Sequence, residues 1–379
     1  MKNYLYISLA VATLTACDSS DNATAVQHPD GYDYIMLSAQ PQTVVTRANP
    51  YEAYDASRHP ATMGVMGYYD IASYNALNTE RTVDKPNPVF DNATMTYNAT
   101  ASTKWTYAPL KKWDDYKGAT SFDFFAYMPQ RDGALVTRTT EDADSYTLSI
   151  PFAMPEGGAA ITDQRQVPII CNLPEHKEGT TAEGDEFTFE RVVTMKFDQT
   201  MTAYRLLFRL DTRMGAMRQF RIKGVSISGN APTAGTISRT YHWKDSEWTA
   251  DDIVWTITSR LADGAATAIP NPADANGDNT LLMPTTDYAQ WGEAFYVIPD
   301  ASFEPIISVK YDVEFIDQDG KTVVTRKGVT SSIELNKNNF SSLTSGGIAM
   351  VNPIRILVQP RYLYVMADQD AYTGHLLVE

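Results

Sequence analysis

No stretch of this chain spaces its apolar residues as a helix would over about 12 or more positions, whereas short alternating runs recur from end to end. That periodicity confines the chain to an all-β fold, a sandwich or a barrel. The runs fall at 34–39, 122–128, 146–152 and 167–171, then at 192–197, 204–211, 220–228, 253–258, 294–298, 306–316, 322–326 and 355–365. In the first of them Ile35, Leu37 and Ala39 share one face. Turn chemistry separates the runs, at Asp132-Gly133, Glu156-Gly157-Gly158, Asp263-Gly264 and Asp319-Gly320. The clearest hairpin joins 309–317 to 321–326 across Asp319-Gly320. Only 49–54 and 110–116 read as single helical turns.

A chain of 379 residues is long enough for two such sandwiches, each with its own core. The segment 174–186 (PEHKEGTTAEGDE) is charged and lacks apolar residues, as interdomain linkers do. It divides an N-terminal β-sandwich, 31–180, from a C-terminal one, 186–379; it also reads as a long hairpin loop within one domain. Apolar residues make up 43%, which a globular chain needs and a disordered one lacks. The net charge of -15 argues against a nucleic-acid partner, because a phosphate backbone is held by clustered Lys and Arg.

Residues 1–17 (MKNYLYISLAVATLTAC) carry one cationic residue, Lys2, then an apolar run too short to span a bilayer. The ending Leu14-Thr15-Ala16-Cys17 resembles the lipobox of bacterial lipoproteins, so 1–17 is expected to be a lipoprotein signal peptide and Cys17 the lipidated residue. Residues 18–30 are a polar tether. Asp18 and Asp21 partly resemble the signal that sends Bacteroidetes lipoproteins to the outer surface. The second cysteine, Cys171, lies in an apolar run and reads as a small core residue.

Sets that would carry catalysis are missing from the sequence. The five histidines are scattered, none at HExxH or HxH spacing, and neither a GxSxG elbow nor a P-loop occurs. No enzyme, no cofactor and no metal are therefore expected. Asp274-Ala275-Asn276-Gly277-Asp278 opens like a calcium loop, but Asn279 stands where that loop needs Gly and Thr285 where it needs Glu, so it reads as a polar surface loop. Trp255 sits in an alternating run and reads as core, while Trp243 and Trp248 flank an Asp245-Ser246 turn, where exposed rings would suit a sugar.

Several segments together resemble the fimbrillins, the major and minor pilins of Bacteroidales. The first is 105–129 (WTYAPLKKWDDYKGATSFDFFAYMP), with Trp105, Trp113, Phe125, Ala126, Tyr127 and Pro129 in the family's pattern. Others are 193–211, 220–229 (FRIKGVSISG) followed by Gly235-Thr236, 295–299 (FYVIP), and the tail from 356, with Pro360, Tyr362 and Tyr364. The sequence departs from the family after Phe197, where Asp198-Gln199 replaces the usual His. The resemblance implies two tandem transthyretin-like Greek-key β-sandwich domains. It implies export as a lipoprotein to the outer membrane, and a trypsin-like cut that removes the first strand. A strand from another fimbrillin subunit, of the same or a related chain, then fills the exposed groove, and the fimbria meets a host or bacterial ligand.

The expected cut lies between Arg47 and Ala48, after the strands 34–39 and 43–46, with Arg58 the next candidate. Pro50 disfavours helix at Asn49, so this stretch reads as an accessible loop. The closing segment 374–379 (GHLLVE) reads as a last core strand or as a donor. The competing reading is a monomeric surface glycan-binding lipoprotein that keeps its N-terminus and binds through Trp243 and Trp248.

Overall fold

The computed structural model describes residues 34–42, 51–70, 88–101, 104–116, 119–139, 145–178, 180–181, 187–188, 192–214, 218–272, 277–317, 319–335, 351–360 and 374–378. Among them there is no α-helix, only short 3-10 turns, of which Trp113–Tyr116 falls in the helical turn expected at 110–116. Residues 51–54 of the other expected turn are not helical. Strands are numbered here in chain order.

One sheet runs β1 (Met36–Pro41), β12 (Val192–Gln199), β8 (Ile169–Cys171), β5 (Ser121–Met128), β2 (Thr62–Tyr69), β3 (Pro88–Tyr97), β4 (Trp105–Thr106), and β9 (Glu175–Glu178) also pairs with β5. A second runs β16 (Glu247–Ala250), β15 (Pro232–Lys244), β7 (Ser145–Ala153), β6 (Leu135–Arg138), with β17 (Val254–Arg260) also on β15. Their facing side chains form one buried cluster, in which Val193, Phe197, Phe125 and Tyr127 of the first sheet meet Leu148, Ile150, Ile237 and Tyr241 of the second. A third sheet runs β20 (Ala289–Val297), β13 (Thr202–Leu210), β23 (Val351–Pro360), β24 (Gly374–Val378). A fourth runs β18 (Ala266–Ile269), β14 (Arg218–Ser228), β21 (Ile306–Ile316), β22 (Thr322–Glu334), with β19 (Leu281–Leu282) on β14. The second cluster lies between these two and includes Leu206, Phe208, Ile356, Phe220, Ile222, Val309 and Tyr311. A small ladder of β10 (Thr180–Thr181) with β11 (Phe187–Thr188) stands apart. The protein is thus all-β, with two cores each packed between two sheets.

The two cores do not divide the chain at the expected boundary of 174–186. Inside that segment Glu175–Glu178 is a strand laid antiparallel on Ser121 to Phe124, with Lys177 buried. After it, β12 returns to the first sheet beside β8. Later the chain re-enters the first core a second time. β15 pairs along β7 from His242↔Ser145 to Ala234↔Ala153, and Ile237, Tyr241 and Trp248 are buried in the first cluster. The physical reason is hydrogen bonding. β7 presents an open edge that only a long strand covers, and the 13-residue β15 satisfies it while burying its inner face.

The hairpin read around Asp319-Gly320 is β21–β22, and Asp317 Oδ1 closes its turn by accepting from Asp319 N at 3.0 Å and Lys321 N at 2.8 Å. Cys171 is fully buried, and burial pushes its thiol up to about 11.

Candidate functional site

Strand β1 ends the first sheet and runs parallel to β12, from Met36↔Val192 to Pro41↔Phe197. Its alternation is the one legible in the sequence: Ile35, Leu37 and Ala39 are buried at 1%, 3% and 5% exposure, with the residues between them partly exposed. Full burial of a side chain the size of Ile or Leu contributes roughly 1.5–3 kcal/mol. Polar contacts hold both ends of the strand. Ile35 N donates to Lys111 O at 2.9 Å, and Tyr107 Oη donates to Ile35 O at 2.8 Å. Ser38 Oγ donates to Thr194 Oγ1 at 3.1 Å, and Gln42 N to Phe197 O at 2.8 Å.

Residues 43–50, which contain Arg47 and Ala48, lie outside the described residues, as does Cys17. Both flanks of that segment are held. Gln42 and Tyr51 form an antiparallel bridge, and Glu52 N donates to Pro41 O at 2.9 Å. Tyr51 Oη donates to Asp198 Oδ1 at 2.8 Å, while Asp198 Oδ2 accepts from Asn172 Nδ2 at 2.8 Å and from Arg239 at 2.7 Å. Burial, reinforced by the Asp198 carboxylate, pushes the Tyr51 phenol far above its ordinary range, so this tie persists at any physiological pH. Asp198 therefore anchors Tyr51, the residue that follows the segment 43–50. Arg58, the other candidate for cleavage, is paired with Glu52 at 2.7 Å and Asp55 at 3.1 Å in a closed turn. These exposed pairs are weak, but the backbone there is closed as well, with Arg58 N and His59 N both donating to Asp55 O at 3.1 and 2.9 Å, whereas a trypsin-like protease needs an accessible loop.

A second constellation was not foreseen from the sequence. Asp123 sits in the buried strand β5 with no exposure. Its Oδ1 accepts from Trp248 Nε1 at 2.8 Å and is 2.7 Å from His176 Nδ1, while Oδ2 has no hydrogen-bond partner among the described residues. The signal in the sequence is the single charge in SFDFFAYM, since a carboxylate inside an apolar strand demands donors. Beside it, a cavity of ≈ 310 Å³ is lined by residues that include His176, Trp243 and Trp248. Trp248 is 7% exposed, so only Trp243 of the pair offers a ring to solvent. Trp255, expected as core, is partly buried against the first cluster and donates through Nε1 to Thr200 O at 2.7 Å.

Burial lowers the His176 pKa, but the Asp123 hydrogen bond and charge, with Glu178 and Glu175 nearby, outweigh it and raise the imidazole above its usual value. A raised folded pKa favours the folded state most when the ring is protonated. The stabilisation is fully present below the ordinary histidine pKa of about 6.5 and is lost as pH rises through the folded value. The difference in urea midpoint between the wild type and His176→Gln is expected to be largest at acidic pH and to shrink above neutrality. A difference that grows with pH would contradict this assignment.

Ser145 Oγ lies 2.7 Å from His242 Nδ1, and His242 Nε2 lies 3.2 Å from Asp251 Oδ2. The order is that of a hydrolase relay, but Ser145 is 1% exposed, so no substrate carbonyl reaches its oxygen. Among the described residues no group of three His, Cys, Asp or Glu is placed to hold a metal. Of the loop that opens like a calcium site, Asp274 and Asn276 lie outside the described residues; Asp278 accepts from Thr280 N at 2.9 Å and lies 3.6 Å from Arg221.

No protein-family model and no curated protein matches the chain. Among solved structures it is similar to a fimbrial protein from Bacteroides vulgatus, at 13% identity over 91% of this chain and 98% of that one, with a TM-score of 0.47. It is also similar to the fimbrial anchor protein Mfa2 from Porphyromonas gingivalis, at 13% identity over 91% of this chain and 96% of that one, with a TM-score of 0.32.

Proposed function

We propose that this chain is a structural subunit, stalk or tip, of a cell-surface fimbria, exported as a lipoprotein through Cys17 and assembled by strand exchange after cleavage between Arg47 and Ala48. The observation that carries the reading is the seat of β1. It is an edge strand with three inward side chains on one face, and Arg47 follows it within the short segment 43–50. Cleavage there leaves residues 34–42 attached by non-covalent contacts alone. Their departure exposes the unpaired edge of β12 and an apolar slot over Val193, Met195 and Phe197. A strand from another subunit, a second copy or a related chain, satisfies both needs by β-strand addition. In this reading the product is mechanical and adhesive, and no catalytic step is assigned to it.

The test is N-terminal sequencing of the protein recovered from sheared surface filaments. The expected first residue is Ala48. A filament-borne chain that begins at a blocked Cys17, or the absence of this chain from the filaments, would overturn the reading.

A further inference from the structure

We propose that the cavity formed by Leu173, His176, Trp243, Ser246, Glu247 and Trp248 is a carbohydrate site that takes the face of one pyranose ring. The inference is independent of strand exchange, because every residue in it belongs to the intact first sandwich and none to β1 or to residues 43–50.

The floor is built rather than incidental. Trp243 is held at 5.2 Å from Trp248, ring to ring, and at 4.5 Å from His176. Trp248 and His176 are in turn fixed by the same oxygen of Asp123, at 2.8 Å and 2.7 Å. Three strands, β5, β9 and β16, thus meet at one buried carboxylate whose other oxygen has no partner among the described residues. A buried carboxylate left half unsatisfied is unfavourable for the fold. What it achieves is to orient two walls of this cavity. An indole presented in this way matches the apolar C–H face of a sugar.

The rim supplies the polar half of the recognition. Ser246 and Glu247 are exposed, and neither makes a side-chain hydrogen bond or ion pair among the described residues. With Nδ1 on Asp123, the Nε2 of His176 likewise has no partner among the described residues. A hydroxyl, a carboxylate and an imidazole nitrogen around an aromatic floor offer the donors and acceptors that ring hydroxyls require. The depression of ≈ 310 Å³ is open to solvent, so it can take one face of a single ring and leave the other in water.

The turn that carries Ser246 supplies a variant that tests the rim. Lys244 pairs with Glu247, so Asp245 and Ser246 are a two-residue hairpin turn, and both have positive φ, 53° and 63°. Glycine is the favoured residue at the second position of such a turn. Glycine at that position would relieve the left-handed backbone, so the Ser246 hydroxyl can be removed without loss of the turn.

The experiment titrates the full chain with the methyl glycosides of glucose, galactose, mannose and N-acetylglucosamine, followed by tryptophan fluorescence and saturation-transfer NMR. Saturable binding of at least one glycoside is expected, with the strongest transfer to the ring-face protons. Trp243→Ala is expected to weaken it roughly tenfold or more. Ser246→Gly is expected to weaken binding while the thermal midpoint stays level or rises, a combination that general loss of structure cannot produce. No saturable binding of any of the four glycosides, or binding that both substitutions leave unchanged, would overturn the proposal.

Discussion

Trypsin at low dose is expected to convert the purified, unlipidated chain from monomer to polymer by cutting after Arg47, and Arg47→Ala is expected to stay monomeric under the same treatment. While 43–50 is intact, β1 is tethered beside its own groove at high effective concentration, and no second molecule competes with it. The bridge Gln42↔Tyr51 and the Tyr51–Asp198 hydrogen bond of 2.8 Å keep both flanks of the tether on the body of the first sandwich. Cutting it makes the departure of β1 a true dissociation. The apolar slot and the open edge of β12 then become available to a neighbour, and the gross gain from burial there is offset by ordering the incoming strand. Arg58 is an internal control, because its backbone is closed in a turn onto Asp55 O. Size-exclusion chromatography with N-terminal sequencing of the product reads the outcome. If Arg47→Ala polymerises as the wild type does, processing at this site is wrong. If the wild type is cut after Arg47 and remains monomeric at high concentration, self-assembly is wrong, and the groove requires a strand of different sequence.

Phe125→Ala is expected to destabilise the first sandwich by about 3–5 kcal/mol, the usual range for emptying a buried phenylalanine site. Phe125 has no exposure. Its ring lies 6.1 Å from Tyr68 in its own sheet, and 6.3 Å from Tyr146, 5.6 Å from Tyr241 and 5.6 Å from Trp248 in the opposite one. The loss therefore falls on strands far apart in sequence. Native-state hydrogen exchange is expected to show reduced protection at Ile237 and Tyr241 together with β5, and little change at Val309 and Tyr311 of the second core. Unchanged protection at 237–241, or an equal loss at 309–311, would sink the assignment of β15 to the first core.

Sequence alone determined the features that depend only on a strand's own faces and on turn chemistry. The alternation of Ile35, Leu37 and Ala39 appears unchanged in β1, because the side-chain period of a strand is a local property. The Asp319-Gly320 hairpin was legible for the same reason, since its two strands are neighbours in sequence. Strands β2 and β3 were not. TMGVMGYY is buried at six consecutive positions and carries two glycines, so it shows no alternation, and β3 begins with a proline and is interrupted at Asn92, whose φ is 50°. The charged EHKE of β9 reads as a linker until Asp123 and the edge of β5 are placed beside it. The pocket was half visible, in Trp243 and in the Asp245-Ser246 turn. Its buried anchor and its histidine were not, because Asp123, His176 and Trp248 come from strands that meet only in the fold. Which edges pair is decided by unsatisfied backbone groups and by the area two faces bury together. Neither quantity exists until segments distant in sequence have met, and that is why the return of β15 to the first core belongs to the tertiary structure alone.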